Sequence, residues 1–419
     1  MRFVRLTADA YATFMSTVER QFVPQMPEYG LARQTDGHEV EYVGVVDGPT
    51  EDSEKVIGAG LLLFQPWKKF FQRGLMNYGP TLDWENKELV NFFFTELTAF
   101  LRKNHPKVLA VSICPLVPKN FYEDIHMVEK SKLGEDVDIQ FRSLGMTRID
   151  KEFYEQPDIQ IRYIYTKNIA GMSFEEATAT LSKGLRRRFH NEGRYGVEVR
   201  FLPPEEFDVF EQLHESTAER TKMAGITSSS ENLYRNLMKE LGPERAFLSV
   251  AYLSPVRYLE QIRAEREELK ERLAVLEARR PTKARDRDID QVNKRFPLLD
   301  EQEATAQQTL DEYGDNIPFN SALSFVAGKE IILLLGGMDK RFNSYGRDYP
   351  VERAMFKLAC DMGLEVYNTF GVSGVFDETA VDAPVLAFKR WLNGNVEEFI
   401  GTYVLPIHPR LAKQLGAIS

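Results

Sequence analysis

Apolar positions along the chain follow two rhythms. Between Glu85 and Lys103, Leu89, Phe93, Leu97, Phe100 and Leu101 recur at steps of three and four, which predicts a helix with one apolar face. Asp83 stands where that helix wants an N-cap. Val351, Met355, Leu358, Ala359 and Met362 predict a second such helix, and Gly363 suits the left-handed residue that closes it. Shorter runs read as strands: Phe3 to Leu6, Glu41–Val46, Lys55–Phe64, Val108–Ile113, Ala322–Val326, Glu330–Leu335 and Leu364–Tyr367. Two pairs of these make hairpins, one across the polar stretch Asp47–Glu54 and one across Ala327-Gly328-Lys329. Leu386-Ala387-Phe388 reads as a further strand, running into Lys389 and Arg390.

Hairpin, helix, strand thus occurs twice. The segments Lys55–Phe70 and Lys329–Phe342 also look alike, each an apolar strand with a basic, aromatic tail. The pattern predicts two similar α/β lobes: residues 1–165, and residues 166–254 with 312–419, whose last segment packs back on the first lobe. Residues 255–311 differ in kind. Leu259, Ile262, Leu269, Leu273 and Leu276 keep heptad spacing with Arg266 in the seam. Ile289, Val292, Phe296, Leu299, Ala306, Leu310 and Tyr313 repeat it with Glu303 in the seam. Pro281 forces a turn between them, and Pro297 should kink the second helix. The expectation is an antiparallel coiled-coil arm about 35–40 Å long with a self-contained apolar seam. Such an arm serves as a spacer, a homodimer contact or, through its basic tip Arg279–Arg287, an RNA contact.

Charge narrows the function. A net charge of −10 over 419 residues excludes a general nucleic-acid coat but not a local basic patch. One such patch lies in Leu181–Arg200, where Lys183, Arg186, Arg187, Arg188, Arg194 and Arg200 crowd together. It is either a solvated helix face or a phosphate-binding element. Cys114 and Cys360 sit in apolar surroundings, as core residues do. The scattered histidines offer no metal-ligand spacing, and there is no P-loop or GxGxxG motif, so no metal or cofactor is expected. The N-terminus lacks a signal-peptide core and no apolar run is long enough to span a bilayer, which predicts a cytoplasmic protein with at most peripheral membrane contact.

The densest motif is Gly363–Phe376, GLEVYNTFGVSGVF, followed by Phe388-Lys389, Asn393 and the EEFIG of Glu397–Gly401. Gly371 and Gly374 are residues that let another group approach the backbone closely. By its YN-x-x-GVSG-x-F, FK-x-x-x-N and EEFIG motifs, and by NYGPTLDWENKELVNFFFTEL and QIRY earlier in the chain, the sequence resembles the Fem family. These are aminoacyltransferases that build peptidoglycan interpeptide bridges, and the likeness runs over nearly the whole chain.

The resemblance implies an α/β fold of two GNAT-like lobes packed together, with an inserted antiparallel two-helix arm. It also implies a reaction: an amine of a peptidoglycan precursor, lipid II or a UDP-linked muropeptide, attacks the ester of an aminoacyl-tRNA. Lys389 would steady the oxyanion. By their density in an acidic chain, Arg186, Arg187 and Arg188 would hold phosphate. The resemblance implies Arg220 as a substrate-pocket residue, and Tyr345, Tyr367, Phe370, Gly371, Ser373, Gly374 and Phe388 would line the substrate. Two departures matter. Thr402 stands where relatives carry a carboxylate, and Ala32-Arg33 stand where relatives have a lysine. Two other classes compete. An acyl-CoA-dependent N-acyltransferase is disfavoured by the missing R/Q-x-x-G-x-G/A loop. A non-catalytic tRNA-binding scaffold is disfavoured by Lys389 and the glycine motif occurring together.

Overall fold

The computed structural model describes residues 1–48, 54–149, 159–221, 225–346 and 349–417, without the side chains of 219–221. Most of the Asp47–Glu54 loop lies outside the described residues. In chain order the strands are β1 (Arg2–Arg5), β2 (Val40–Asp47), β3 (Lys55–Trp67), β4 (Phe71–Asn77), β5 (Val108–Cys114), β6 (Pro118–Glu123), β7 (His126–Lys130) and β8 (Thr147–Arg148). They continue as β9 (Tyr163–Asn168), β10 (Val197–Leu202), β11 (Ala246–Leu253), β12 (Ile317–Ala327), β13 (Glu330–Met338), β14 (Val366–Val372), β15 (Asn395–Phe399) and β16 (Tyr403–Pro406).

They form a seven-stranded sheet, β1-β2-β3-β4-β5-β16-β8, and a nine-stranded sheet, β10-β11-β12-β13-β14-β9-β15-β6-β7. Each has one parallel pair, β4 with β5 and β13 with β14, and the amphipathic helix between those strands crosses over. In the first lobe that helix is α1 (Lys87–Asn104), which buries Leu89, Phe93, Leu97 and Leu101. Its N-cap is Asn86, which accepts from Leu89 N; Asp83 sits upstream and accepts from Glu85 N.

The fold is therefore the expected α/β architecture of two lobes packed together with an inserted two-helix arm, but strand by strand the repeat is offset from the sequence reading. The counterpart of β13 is β4, not β3. Phe71–Asn77 is a full strand that the sequence reading leaves unassigned. Strands also cross between lobes in chain order. The hairpin β6–β7 extends the second sheet, while β16 inserts into the first.

The lobes share a core. Tyr11, Phe22 and Tyr78 from the first pack in one cluster with Leu248, Leu323, Phe325, Ile332 and Phe399 from the second. Arg20 adds a polar fastening at the same junction, donating to Glu330 and Glu397 at 3.0 and 2.6 Å.

The arm is α4 (Pro255–Glu277) and α5 (Lys283–Tyr313). The seam residues meet each other: Arg266 pairs with Glu303 at 2.7 Å and with Asp300 at 2.7 Å. The helix runs on through Pro297. The seam is not self-contained. Tyr258, Leu259, Ile262, Leu299 and Ala306 belong to the second lobe's main core, so the base of the arm is part of that lobe's packing.

Candidate active site

The site is organised by where β13 and β14 part. They pair over Glu330↔Val366, Ile331↔Tyr367 and Ile332↔Asn368, then diverge. On the departing β13, backbone groups are taken up by α3 (Phe207–Thr221). Thr217 Oγ1 accepts from Met338 N at 2.9 Å, and His214 Nδ1 lies 2.9 Å from Gly336 O. Gly337 is needed there because a Cβ would stand 2.5 Å from His214 N. That arrangement carries the TAERT segment to the open seam; the Arg220 side chain lies outside the described residues.

On the departing β14 the strand bulges. Its register against β9 shifts between Asn368 and Gly371, and Phe370 takes a left-handed φ of 62°. A bulky residue in that region stores about 1–3 kcal/mol and needs its surroundings to hold it. Asn368, fully buried, does so: its Oδ1 accepts from Phe370 N at 2.7 Å while its Nδ2 donates to Glu330. Thr369 Oγ1 donates to Tyr165 O at 2.9 Å.

The stretch Leu386–Arg390 is not a strand. Ala383–Lys389 is a helix, α7, lying against β14; a short apolar run cannot by itself distinguish the two forms. Both ends of α7 are tied to β14 and its exit loop. At its start the buried Asp382 accepts from Ser373 N at 2.8 Å and from Ser373 Oγ at 2.5 Å. At its end Lys389 Nζ donates to Phe370 O at 3.2 Å and Gly371 O at 2.6 Å.

Lys389 is only 6% exposed. Burial pushes its ammonium down to about 8, against the raising influence of Asp382 and Glu352. Glu352, on α6 (Pro350–Asp361), is buried as well, and burial pushes its carboxyl up to about 7, opposed by a hydrogen bond from Tyr367 and by the charge of Lys389. Its Oε1 has no hydrogen-bond partner. An ammonium has three N–H donors. Two are committed to the bulge carbonyls, which leaves the third without a hydrogen-bond partner among the described residues.

The other sequence candidates separate. Tyr367 is fully buried on Phe356 and is a core residue with no surface to offer a ligand. Tyr345 is buried at the base of the arm beside Tyr195 and Tyr258. Gly371 and Gly374 do admit a close neighbour, but it is the protein itself: Ile161 and the ring of Tyr163 fill the space where each Cβ would go. Thr402 is buried and accepts from Gln160 N at 3.2 Å, and Arg33 donates to Tyr29 OH at 3.0 Å on the first lobe.

The three arginines lie on α2 (Lys183–Phe189), which Ser182 caps. Arg186 and Arg187 are exposed, and Arg188 is sandwiched between Tyr349 and Trp391, at 5.1 and 4.7 Å from their ring centres. Tyr349 also stacks on Phe388 at 4.8 Å. An Arg188–Tyr349–Trp391–Phe388 box therefore stands beside the helix that carries Lys389. Trp391 and Glu352 were missed from sequence; Glu352 was legible only as one charge in the first turn of an otherwise apolar-faced helix. Asp208, Glu211 and Glu231 cluster as well, but Arg235 pairs with Asp208 and Glu231 and supplies the positive charge there.

The model of the FemAB family matches residues 6–418. The chain belongs to the FemAB family. It is 27% identical over 415 residues to aminoacyltransferase FemA of Staphylococcus aureus strain MW2, covering 97% of this chain and 96% of that one. FemA of strain N315 matches to the same extent. A crystal structure of FemX superposes with a TM-score of 0.79 at 18% identity, covering 99% of both chains, which supports the shared fold. No helix among the described residues is long and apolar enough to cross a membrane.

Proposed function

We propose that this FemAB member is an aminoacyltransferase that moves an amino acid from aminoacyl-tRNA to a peptidoglycan precursor, lipid II or its UDP-linked form, to build or extend the interpeptide bridge. The observation that carries the reading is Lys389, a buried lysine held at the bulge of β14 where the parallel pair opens. The precursor amine attacks the ester carbonyl and a C–N bond forms. The tetrahedral oxyanion collapses as the C–O bond breaks, and the proton lost by the amine passes, directly or through water, to the departing tRNA 3′ oxygen. The ester is already activated, so the protein supplies orientation and charge rather than a nucleophile. The remaining Lys389 N–H meets the oxyanion. Glu352 sustains the charge of Lys389. Arg186 and Arg187 contact phosphate, of the precursor's diphosphate in preference to tRNA, while the exposed arm tip is available to a longer polyanion.

The test is a mass-resolved transfer assay. Purified protein is incubated with charged tRNAs, acetyl-CoA and lipid II together and singly. A lipid II adduct one aminoacyl residue heavier, dependent on charged tRNA, is the expected product. Acetylated product overturns the reading in favour of an acyl-CoA enzyme, and tRNA binding without product in favour of a scaffold.

A further inference from the structure

The turn between β3 and β4 carries an aromatic ring at its tip. Trp67 pairs with Phe71, and the chain reverses through Lys68-Lys69-Phe70, with Lys68 at a left-handed φ of 53°. Both lysines are exposed, and Phe70 is 69% exposed at the tip. The base of the turn is rigid. Arg73 lies 3.8 Å from the Trp67 ring centre, and Trp67 and Phe71 pack with Leu109, Ala110, Leu411, Ala412 and Leu415. That packing brings the C-terminal helix Pro409–Gln414, with its exposed Arg410 and Lys413, to the same end of the sheet. Lys107 is there too, since its carbonyl accepts from Gln72 N at 2.9 Å. Cations thus collect at one pole of a chain whose net charge is −10.

We propose that this hairpin is a membrane-docking element: Phe70 enters the acyl boundary of an anionic bilayer while Lys68 and Lys69 pair with its headgroups. The proposal deepens the reading of a lipid-linked acceptor by naming the surface that meets the membrane. A protruding ring flanked by lysines suits an interface with apolar and anionic layers. Phosphates of a base-paired RNA stem would satisfy the lysines and leave Phe70 in water, and the tRNA arm of the test covers stacking by unpaired bases. The rigid base holds the ring at a fixed height, as a one-residue anchor requires.

The test uses the full chain without tRNA or acceptor, so its outcome does not depend on the transfer reaction. Protein is sedimented with vesicles of phosphatidylcholine, pure or containing one-third phosphatidylglycerol. The expected result is binding to the anionic vesicles alone, weakened roughly tenfold or more by Phe70→Ser and about fivefold by each of Lys68→Gln and Lys69→Gln. Circular dichroism spectra match the parent, and transfer to the soluble UDP-linked acceptor is unchanged. Absence of binding to anionic vesicles overturns the proposal. So does vesicle binding that the variants leave intact, or loss in the variants of affinity for uncharged tRNA rather than for vesicles.

Discussion

The two lobes repeat one strand order, yet each opens at a different seam. In the first, β4 and β5 stay paired to Asn77↔Cys114, and it is β3 and β4 that part beyond Leu63↔Leu75. The gap is filled from within. Buried Gln25 donates to Leu61 O and Asn77 O at 3.1 and 3.0 Å and accepts from Leu61 N at 2.9 Å. In the second, β12 and β13 are paired through Asn320↔Met338, and the opening lies one strand over, between β13 and β14. There the carbonyls of the bulge are met by the ammonium of Lys389. A neutral amide closes one seam, whereas the cation at the other is the group to which the proposed reaction assigns the oxyanion.

The largest effect should come from the cation. Lys389→Met keeps the length and removes the charge. Turnover should fall by about 10²–10³ with KM little changed, the mark of an interaction made in the transition state. Steady-state rates with both substrates varied test it, and unchanged turnover would reduce the second seam to a structural copy of the first.

Paired substitutions at the two plugs sharpen the contrast. Gln25→Leu and Asn368→Leu each strand buried backbone groups and should each cost about 1–3 kcal/mol in urea unfolding. Only Asn368→Leu should also lower turnover in the folded protein, because it frees the Phe370 bulge that positions Lys389. Equal loss of turnover in both variants would break the comparison.

A smaller effect concerns pH. The ammonium of Lys389 is lost in the folded protein as pH rises through about 8, so transfer should decline on that alkaline limb. Between about 8 and the free lysine value, the unfolded chain binds more protons than the folded one at this position. The contribution of Lys389 to stability therefore rises with pH over that window while activity falls. Glu352→Gln removes an influence that raises the Lys389 value, and the limb should move to lower pH. A limb that stays put would remove Glu352 from the site.

What the sequence disclosed follows physical lines. Long amphipathic helices and β-hairpins were legible because a period of 3.6 or 2 persists over many residues, as in α1 and the β2–β3 pair. Two misreadings share one cause, namely short segments with too little period. Phe71–Asn77, FQRGLMN, carries no assignment in the sequence reading, which offsets the lobe repeat by a strand. Leu386–Phe388 reads as a strand, though it lies within the two-turn helix Ala383–Lys389. Lys389 itself was found through the motif. Its burial, and that of Glu352, come from tertiary packing that no local pattern carries. The glycines of the motif were read for a ligand, and the structure fills their space with Ile161 and Tyr163.

The smallest effect lies at the basic helix beside the second seam, which has no counterpart in the seam that Gln25 closes. Arg188 is committed to Tyr349 and Trp391, so replacing all three arginines would confuse packing with binding. The cleaner variant is Arg186→Gln with Arg187→Gln, both exposed on α2. Its melting temperature should match the parent, since exposed charges contribute little to stability. Affinity for one phosphate-bearing substrate should fall, and the slope of log K against log salt should flatten as fewer counterions are released. A diphosphate role predicts the change for lipid II and its UDP-linked analogue, while a tRNA role predicts it for uncharged tRNA. If both substrates bind the double variant as they bind the parent at low and moderate salt, Arg186 and Arg187 are a solvated face, and the second seam relies on Lys389 and its aromatic box alone.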